Sequence, residues 1–291
     1  MNFTHGFTNK NGPTSNHTIL SMSFEPEVNK SFPFHNFYGS IAENLMLRNL
    51  IFRVKKFLFQ GVVLVAYAVR HILNFALNEE ATSIPLGRQR RALATTVEYV
   101  ERHMRHIDSV ASKKELLMKA FKSADISGDR LICEFGVFMG SSINFIAKAT
   151  TKPVFGFDSF EGLPERWRDG CDKGFFAVPR IPKVRENVTL IKGLFHETIP
   201  VFLNQNAGTM GFLHIDSDLY SSAKTVFDFL GARLRPGTVI VFDDYFNYPG
   251  WEEGESKAFM EFLDKNNLSF EFISYHRNAQ QVAVILKDRG H

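Results

Sequence analysis

A chain of 291 residues that is 44% hydrophobic and 22% charged can bury one large core with an appendage, or two small ones. Its formal net charge of +3 is small for this length, and its basic residues are interleaved with acids, so nucleic acid is not an expected partner. The two cysteines, Cys133 in an apolar run and Cys171 in a Gly-rich loop, suit a reducing compartment rather than a disulfide scaffold, and the expected location is cytoplasmic.

Residues 1–43 are rich in Asn, Ser, Thr, Pro and Phe without periodicity and are expected to be irregular or poorly ordered. Residues 44–126 read as a helical extension. From Asn44 to Asn78, a polar stripe of Asn49, Arg53, Lys56 and Gln60 recurs at helical spacing among apolar residues. The apolar stretch Phe57–Val69 has 13 residues, short of the roughly 20 that span a bilayer, and Arg70 and His71 interrupt it. The expectation is a helix that packs on the rest of the chain or on a second subunit, with a homo-oligomer as the result. Peripheral contact of residues 44–77 with the cytoplasmic face of a membrane is the alternative.

Residues 88–126 predict one or two further helices, ending at the turn Ser127-Gly128-Asp129. From there to the C-terminus, 127–291 forms the main domain. Five short apolar runs, LICEF (131–135), VFGFD (154–158), VTLIK (188–192), GFLHID (211–216) and TVIVFD (238–243), alternate with helical stretches, which predicts a parallel sheet with helices on both faces. Two closing runs, 270–276 and 281–287, are joined by only four residues, too few for a parallel crossover, so they form an antiparallel hairpin.

Ligands of such a sheet bind beyond the carboxyl ends of the strands. After the first run come Glu134, Gly136, Gly140, Ser141 and Ser142: glycines that let the backbone turn and approach a ligand, then hydroxyls able to cap a helix. Asp158 ends the second run, at the distance where a nucleoside ribose is gripped through its hydroxyls. Asp216 and Asp218 follow the fourth run, and Asp243 and Asp244 the fifth. Four clustered carboxylates either share protons or hold a hard divalent cation.

In order, EFGVFMGSS, FGFDSFEGLPERWRDGCDKGFFA, NVTLIKGLFHETIP, FLHIDSDLYSSAKTV and VIVFDDYFNYPGWEEGESKAFMEF resemble the macrocin O-methyltransferase-like family of class I S-adenosylmethionine-dependent methyltransferases. The resemblance runs from about Leu93 to Lys287. It implies an α/β fold, a Rossmann-like seven-stranded sheet that is mostly parallel with its last strand antiparallel. By motif, Glu134 to Ser142 would hold the methionine part of S-adenosylmethionine. Asp158, with Ser159 beside it, would hold the ribose, Gly193 and Phe195 would lie near the adenine, and Asp216 would border the cofactor. It further implies Mg²⁺ on Asp216, Asp243 and Asp244, and Asp218 as general base.

The expected activity is O-methylation of a small-molecule or glycan acceptor. A divalent ion would chelate a diol and lower its pKa while Asp218 takes the proton. His276 at a strand end, and His214 within another, are rival bases. The long connection Ser159–Asn187, with Arg166, Trp167, Arg168, Phe175 and Phe176, has the length of a substrate lid. Two other functions compete: a metal-dependent glycosyltransferase that uses the Asp216/Asp218 pair, and a non-catalytic membrane-associated binding protein.

Overall fold

The computed structural model describes residues 37–290, so most of the segment expected to be irregular lies outside the described residues, and its described part, 37–43, is helical instead. The chain divides after Asn74 into two units, and each is taken by itself.

The first contains most of helix α1 (Phe37–Thr82). No proline interrupts it, and every side chain from Asn44 to Phe75 is exposed. By length and composition, Asn44–Phe75 is apolar enough to cross a membrane.

The second unit opens with α2 (Ile84–His103), with Ser83 as N-cap and Pro85 in its first turn. The predicted helical stretch 88–126 is broken between Met104 and Ser112. There Ser109 and Val110 form a two-residue strand, β1, too short to carry any periodicity in the sequence. Next comes α3 (Lys113–Ser123), capped by Ser112, whose Oγ accepts from the Glu115 amide at 3.2 Å. Glu115 reaches back to accept from the Ala111 amide at 3.1 Å, a reciprocal arrangement that sets where the helix starts.

The remaining strands are β2 (Leu131–Phe135), β3 (Val154–Asp158), β4 (Val188–Lys192), β5 (Met210–Ile215), β6 (Val239–Phe242), β7 (Leu268–His276) and β8 (Val282–Asp288). The helices between them are α4 (Ser141–Lys148), α5 (Phe195–Gln205), α6 (Tyr220–Leu230) and α7 (Glu255–Asn266). Together the strands form one sheet of order β1-β7-β8-β6-β5-β2-β3-β4. Only β8 runs against the others, paired antiparallel with both β6 and β7. The expected architecture therefore holds, and its eighth strand is β1, paired with Tyr275 and His276 of β7.

Alternation along the strands separates two cores. Ile132, Phe212, Val239 and Val241 face α3 and α4 through Leu116, Leu117, Ile143 and Ile146. Cys133, Phe135, Leu213, Ile215, Ile240 and Phe242 face α5, α6 and α7 through Ile199, Phe202, Val226, Phe227 and Phe259. Both cysteines are buried and free. Strand order reverses between β2 and β5, the kind of switch point beyond whose carboxyl ends the ligands of such sheets bind.

Candidate active site

Two cavities open at the carboxyl ends of the strands. The first, about 410 Å³, lies over β2, β3 and β4 and is lined by Gly136, Phe138, Asp158, Ser159, Gly193 and Phe195 among others. The second, about 590 Å³, lies beyond β5 and β6. Gln89, Trp167, Arg168, Asp243, Asp244, Asn247 and Gln281 contribute to it. Phe176, Asp216 and Asp218 line both.

Gly136 follows β2 with φ +94°, and a Cβ there would run into the Asp216 carbonyl oxygen, so only glycine allows the ends of β2 and β5 to approach this closely. Asp158 lines the first cavity, but its carboxylate is spent largely on the chain itself. Oδ2 accepts from the amides of Val137 at 2.8 Å and Phe138 at 2.7 Å, and Oδ1 from Phe160 at 2.6 Å. Its main observed work is to fix the glycine turn, with Phe138 held at φ +50°.

Glu134, Gly140, Ser141 and Ser142 do not line the first cavity. Gly140, at φ +78°, caps α4, and Ser141 starts that helix. Glu134 is fully buried beneath the floor, where Oε1 accepts from Ser142 Oγ at 3.0 Å and Oε2 meets His214 Nδ1 at 2.9 Å.

From Glu134 a chain of alternating charges runs toward the second cavity. His214 Nε2 lies 3.5 Å from Asp243 Oδ1. The Lys113 ammonium, at the first position of α3, sits 2.6 Å from that same Oδ1 and 2.9 Å from Asp216 Oδ2. Asp243 Oδ2 accepts from Gln281 Nε2 at 3.2 Å. The contacts of Asp243 Oδ1 are not aligned as hydrogen bonds, so charge alone holds it. A lysine in the first turn of a helix opposes the helix dipole, and two carboxylates offset that here.

Each protonation state follows from these neighbours. Burial disfavours a charged His214, yet Asp243 and Glu134 push it up to about 9, which favours the charged ring, with Nδ1 donating to Glu134 and Nε2 facing Asp243. Burial also opposes ionisation of Asp243, but His214 and Lys113 hold its carboxyl well below the usual range. Asp216 is pushed up to about 6 by burial and by Asp243, against the pull of Lys113. Asp218, at φ +60°, is raised to about 8 by burial and then by Asp216, Glu255 and Asp243.

Asp244 has other acids as its charged neighbours. Burial, Glu255 and Asp218 raise its carboxyl well above the usual range. Glu255 itself, fully buried at the start of α7, accepts from the Ser217 amide and hydroxyl, both at 3.0 Å, and from the Asp244 amide at 3.3 Å. One carboxylate therefore pins both aspartate loops, and burial followed by Asp216 raises it to about 8.

The carboxylates expected to hold Mg²⁺ do not present one ligand set. Among the described residues, the group with ligand atoms mutually within 4.8 Å is His214, Asp216 and Asp243, without Asp244. A cation, the Lys113 ammonium, already stands against two of its members. As these side chains stand, they do not fit a divalent ion.

His276, the rival base, lines neither cavity, and its Nε2 donates to the Ala111 carbonyl at 2.9 Å. Within the long connection, the Arg168 guanidinium lies 3.7 Å from the Trp167 ring centroid. Phe176 meets Phe138 edge-on at 5.5 Å. Sequence reasoning missed Lys113 and Glu255. Lys113 carries no local signal, whereas Glu255, opening a helix after Gly254 just beyond the second aspartate pair, is detectable by its position.

Residues 133–245 match the family model described as a methyltransferase domain. A curated relative, the 8-demethyl-8-(2,3-dimethoxy-alpha-L-rhamnosyl)-tetracenomycin-C 4'-O-methyltransferase of Streptomyces olivaceus, is 31% identical over 41% of this chain and 54% of its own length. The chain thus spans about half the length of the curated relative it matches. Among solved structures, the calicheamicin methyltransferase CalS11 is similar at 20% identity and a TM-score of 0.48, covering 72% of this chain and 85% of that one. The O-methyltransferase NovP is similar at 21% identity and a TM-score of 0.44, covering 59% and 76%.

Proposed function

We propose that this chain, which carries a methyltransferase domain over residues 133–245 and resembles the macrocin O-methyltransferase-like class I enzymes, transfers a methyl group from S-adenosylmethionine to a hydroxyl of a sugar-bearing small molecule. The observation that carries this reading is that the two cavities share Asp216 and Asp218, so donor and acceptor would meet at those carboxylates.

The first cavity suits the donor. Its volume of about 410 Å³ is in the range of small-ligand sites, and Gly136 leaves room where a side chain would block the crevice. Gly136, Ser159, Gly193 and Phe195 line it and would hold the ligand. When bound, S-adenosylmethionine supplies an electrophilic methyl on a sulfonium.

The second cavity suits a polyol. Amides of Gln89, Asn247 and Gln281 offer donors and acceptors, Trp167 offers a ring face, and the aspartates accept from hydroxyls. The curated relative's name is that of an enzyme acting on a rhamnosyl group, which agrees with this chemistry.

Asp218 is the base of this reading. Its carboxyl ionises near 8, close to working pH, where a general base is most effective. It takes the acceptor hydroxyl proton as the oxygen bonds to the methyl carbon and the carbon–sulfur bond breaks. No step passes through magnesium, and the metal-dependent glycosyl-transfer alternative has no corresponding support. The test is incubation with methyl-deuterated S-adenosylmethionine and a panel of rhamnosylated aromatic acceptors, read by mass spectrometry. Label on a sugar oxygen supports the reading. Label on nitrogen or carbon overturns the hydroxyl assignment, and no transfer to any member overturns the acceptor class.

A further inference from the structure

We infer that Lys113 is the resident cation of the aspartate cluster that borders the acceptor cavity: its ammonium, held between Asp216 and Asp243, occupies the position a divalent ion would need and keeps such ions out. Both oxygens of Asp243 are engaged, Oδ1 by Lys113 and Oδ2 by Gln281, and Oδ2 of Asp216 is engaged by Lys113. The third member of the candidate ligand group, His214, is held on its Nδ1 side by Glu134.

A divalent cation entering here has to displace an ammonium that already contacts two of its ligands. It would then face that ammonium at close range in a partly buried site, where like charges are weakly screened. Lys113 lines neither cavity and acts through the aspartates, so it is a positioning residue. It fixes Asp216 against Asp243 and leaves Asp218, which makes no ion pair among the described residues, to handle the proton.

The test reads metal binding directly and is independent of methyl transfer. Mn²⁺ is titrated into the wild type, Lys113→Met and Lys113→Arg and followed by electron paramagnetic resonance. The expected result is no stoichiometric site in the wild type or in Lys113→Arg, and one site in Lys113→Met at least tenfold tighter, lost again when Asp243→Asn is added. A stoichiometric Mn²⁺ site in the wild type overturns the inference, and so does a folded Lys113→Met protein that gains none. If Lys113→Met does not fold, the wild-type titration alone decides.

A separate observation carries a second inference, that α1 inserts into a lipid bilayer. Phe57, Leu58 and Phe59 are consecutive, as are Val62, Val63, Leu64 and Val65, and all are exposed. At about 100° per residue such runs place apolar side chains on every side of the helix. A second copy of the chain covers one stripe, whereas lipid covers all of them. Lys56 and Arg70 are about 21 Å apart along the axis at ~1.5 Å per residue, and side chains that reach outward toward phosphate groups extend that span toward a hydrocarbon core of about 30 Å.

The test is flotation of the full chain with phosphatidylcholine vesicles, followed by an alkaline carbonate wash. The wild type should float and stay after the wash, and the Val63→Glu, Leu64→Glu double variant should remain at the bottom. A wild type that stays in solution as a discrete dimer, or that the wash releases, overturns the insertion.

Discussion

The two cavities are walled by opposite means. Around the first, backbone does the shaping: glycines at positive φ and a carboxylate, Asp158, whose bonds go to three backbone amides, two of them in the glycine turn that follows β2. Around the second, charged side chains do it, and they come from far apart in sequence. Lys113 meets Asp216 from α3, Glu255 reaches back to Ser217 and Asp244, and Gln281 meets Asp243 from just before β8. A wall of backbone takes its shape from the conformation of the chain. A cluster of coupled acids is tunable and moves with pH. A methyl donor common to many enzymes suits the first kind of wall, and an acceptor that must lose a proton suits the second.

The sharpest way to break the comparison is Gly136→Val. Its Cβ and methyls would meet the Asp216 carbonyl, so S-adenosylhomocysteine affinity should fall by roughly a hundredfold or more, as expected when a close backbone approach is lost. Isothermal titration checks it, and affinity within threefold of wild type would remove Gly136 from the donor cleft.

On the acceptor side, Asp218 must be ionised to accept a proton, and its carboxyl sits near 8. Turnover should therefore rise about tenfold per pH unit up to that region and then level off, while S-adenosylhomocysteine affinity stays flat over the same range. A pH-rate profile that is flat between 6 and 8 on the logarithmic scale, to within about twofold, contradicts the assignment.

The smallest effect concerns Glu255. Its folded pKa of about 8 lies above the ordinary 4.5, so its stabilising contribution is complete below pH 4.5 and is lost as pH rises through 8. Thermal unfolding should show the wild type losing stability across that window. Glu255→Gln, which resembles the protonated acid, should flatten the slope with a change of about 1 kcal/mol or less at pH 6.

The same contrast explains what could be read from sequence. Gly136 and the aspartate pairs were legible because turn chemistry and strand ends are local patterns. Strands β2 to β8 were legible because apolar runs and a short hairpin connection are local too. Lys113 was not, because its partner Asp216 is 103 residues away and nothing in KKELL separates it from a solvated lysine. Asp158 shows the limit of spacing. It lines the first cavity, and spacing alone does not reveal that its carboxylate also accepts from the Val137 and Phe138 amides of the glycine turn. His276 shows another, since a strand-end histidine looks catalytic until its ring is found on the Ala111 carbonyl. Strand β1, two residues long, offered no period to detect.

The central claim is that donor binding and proton removal belong to different walls that meet at Asp218. Asp218→Asn, measured for both S-adenosylhomocysteine affinity and turnover on an accepted substrate, tests it most directly. The account predicts affinity within about threefold of wild type and turnover lower by about 10²–10⁴-fold, the usual worth of a general base. Turnover that survives the substitution, or donor affinity that collapses with it, contradicts the claim.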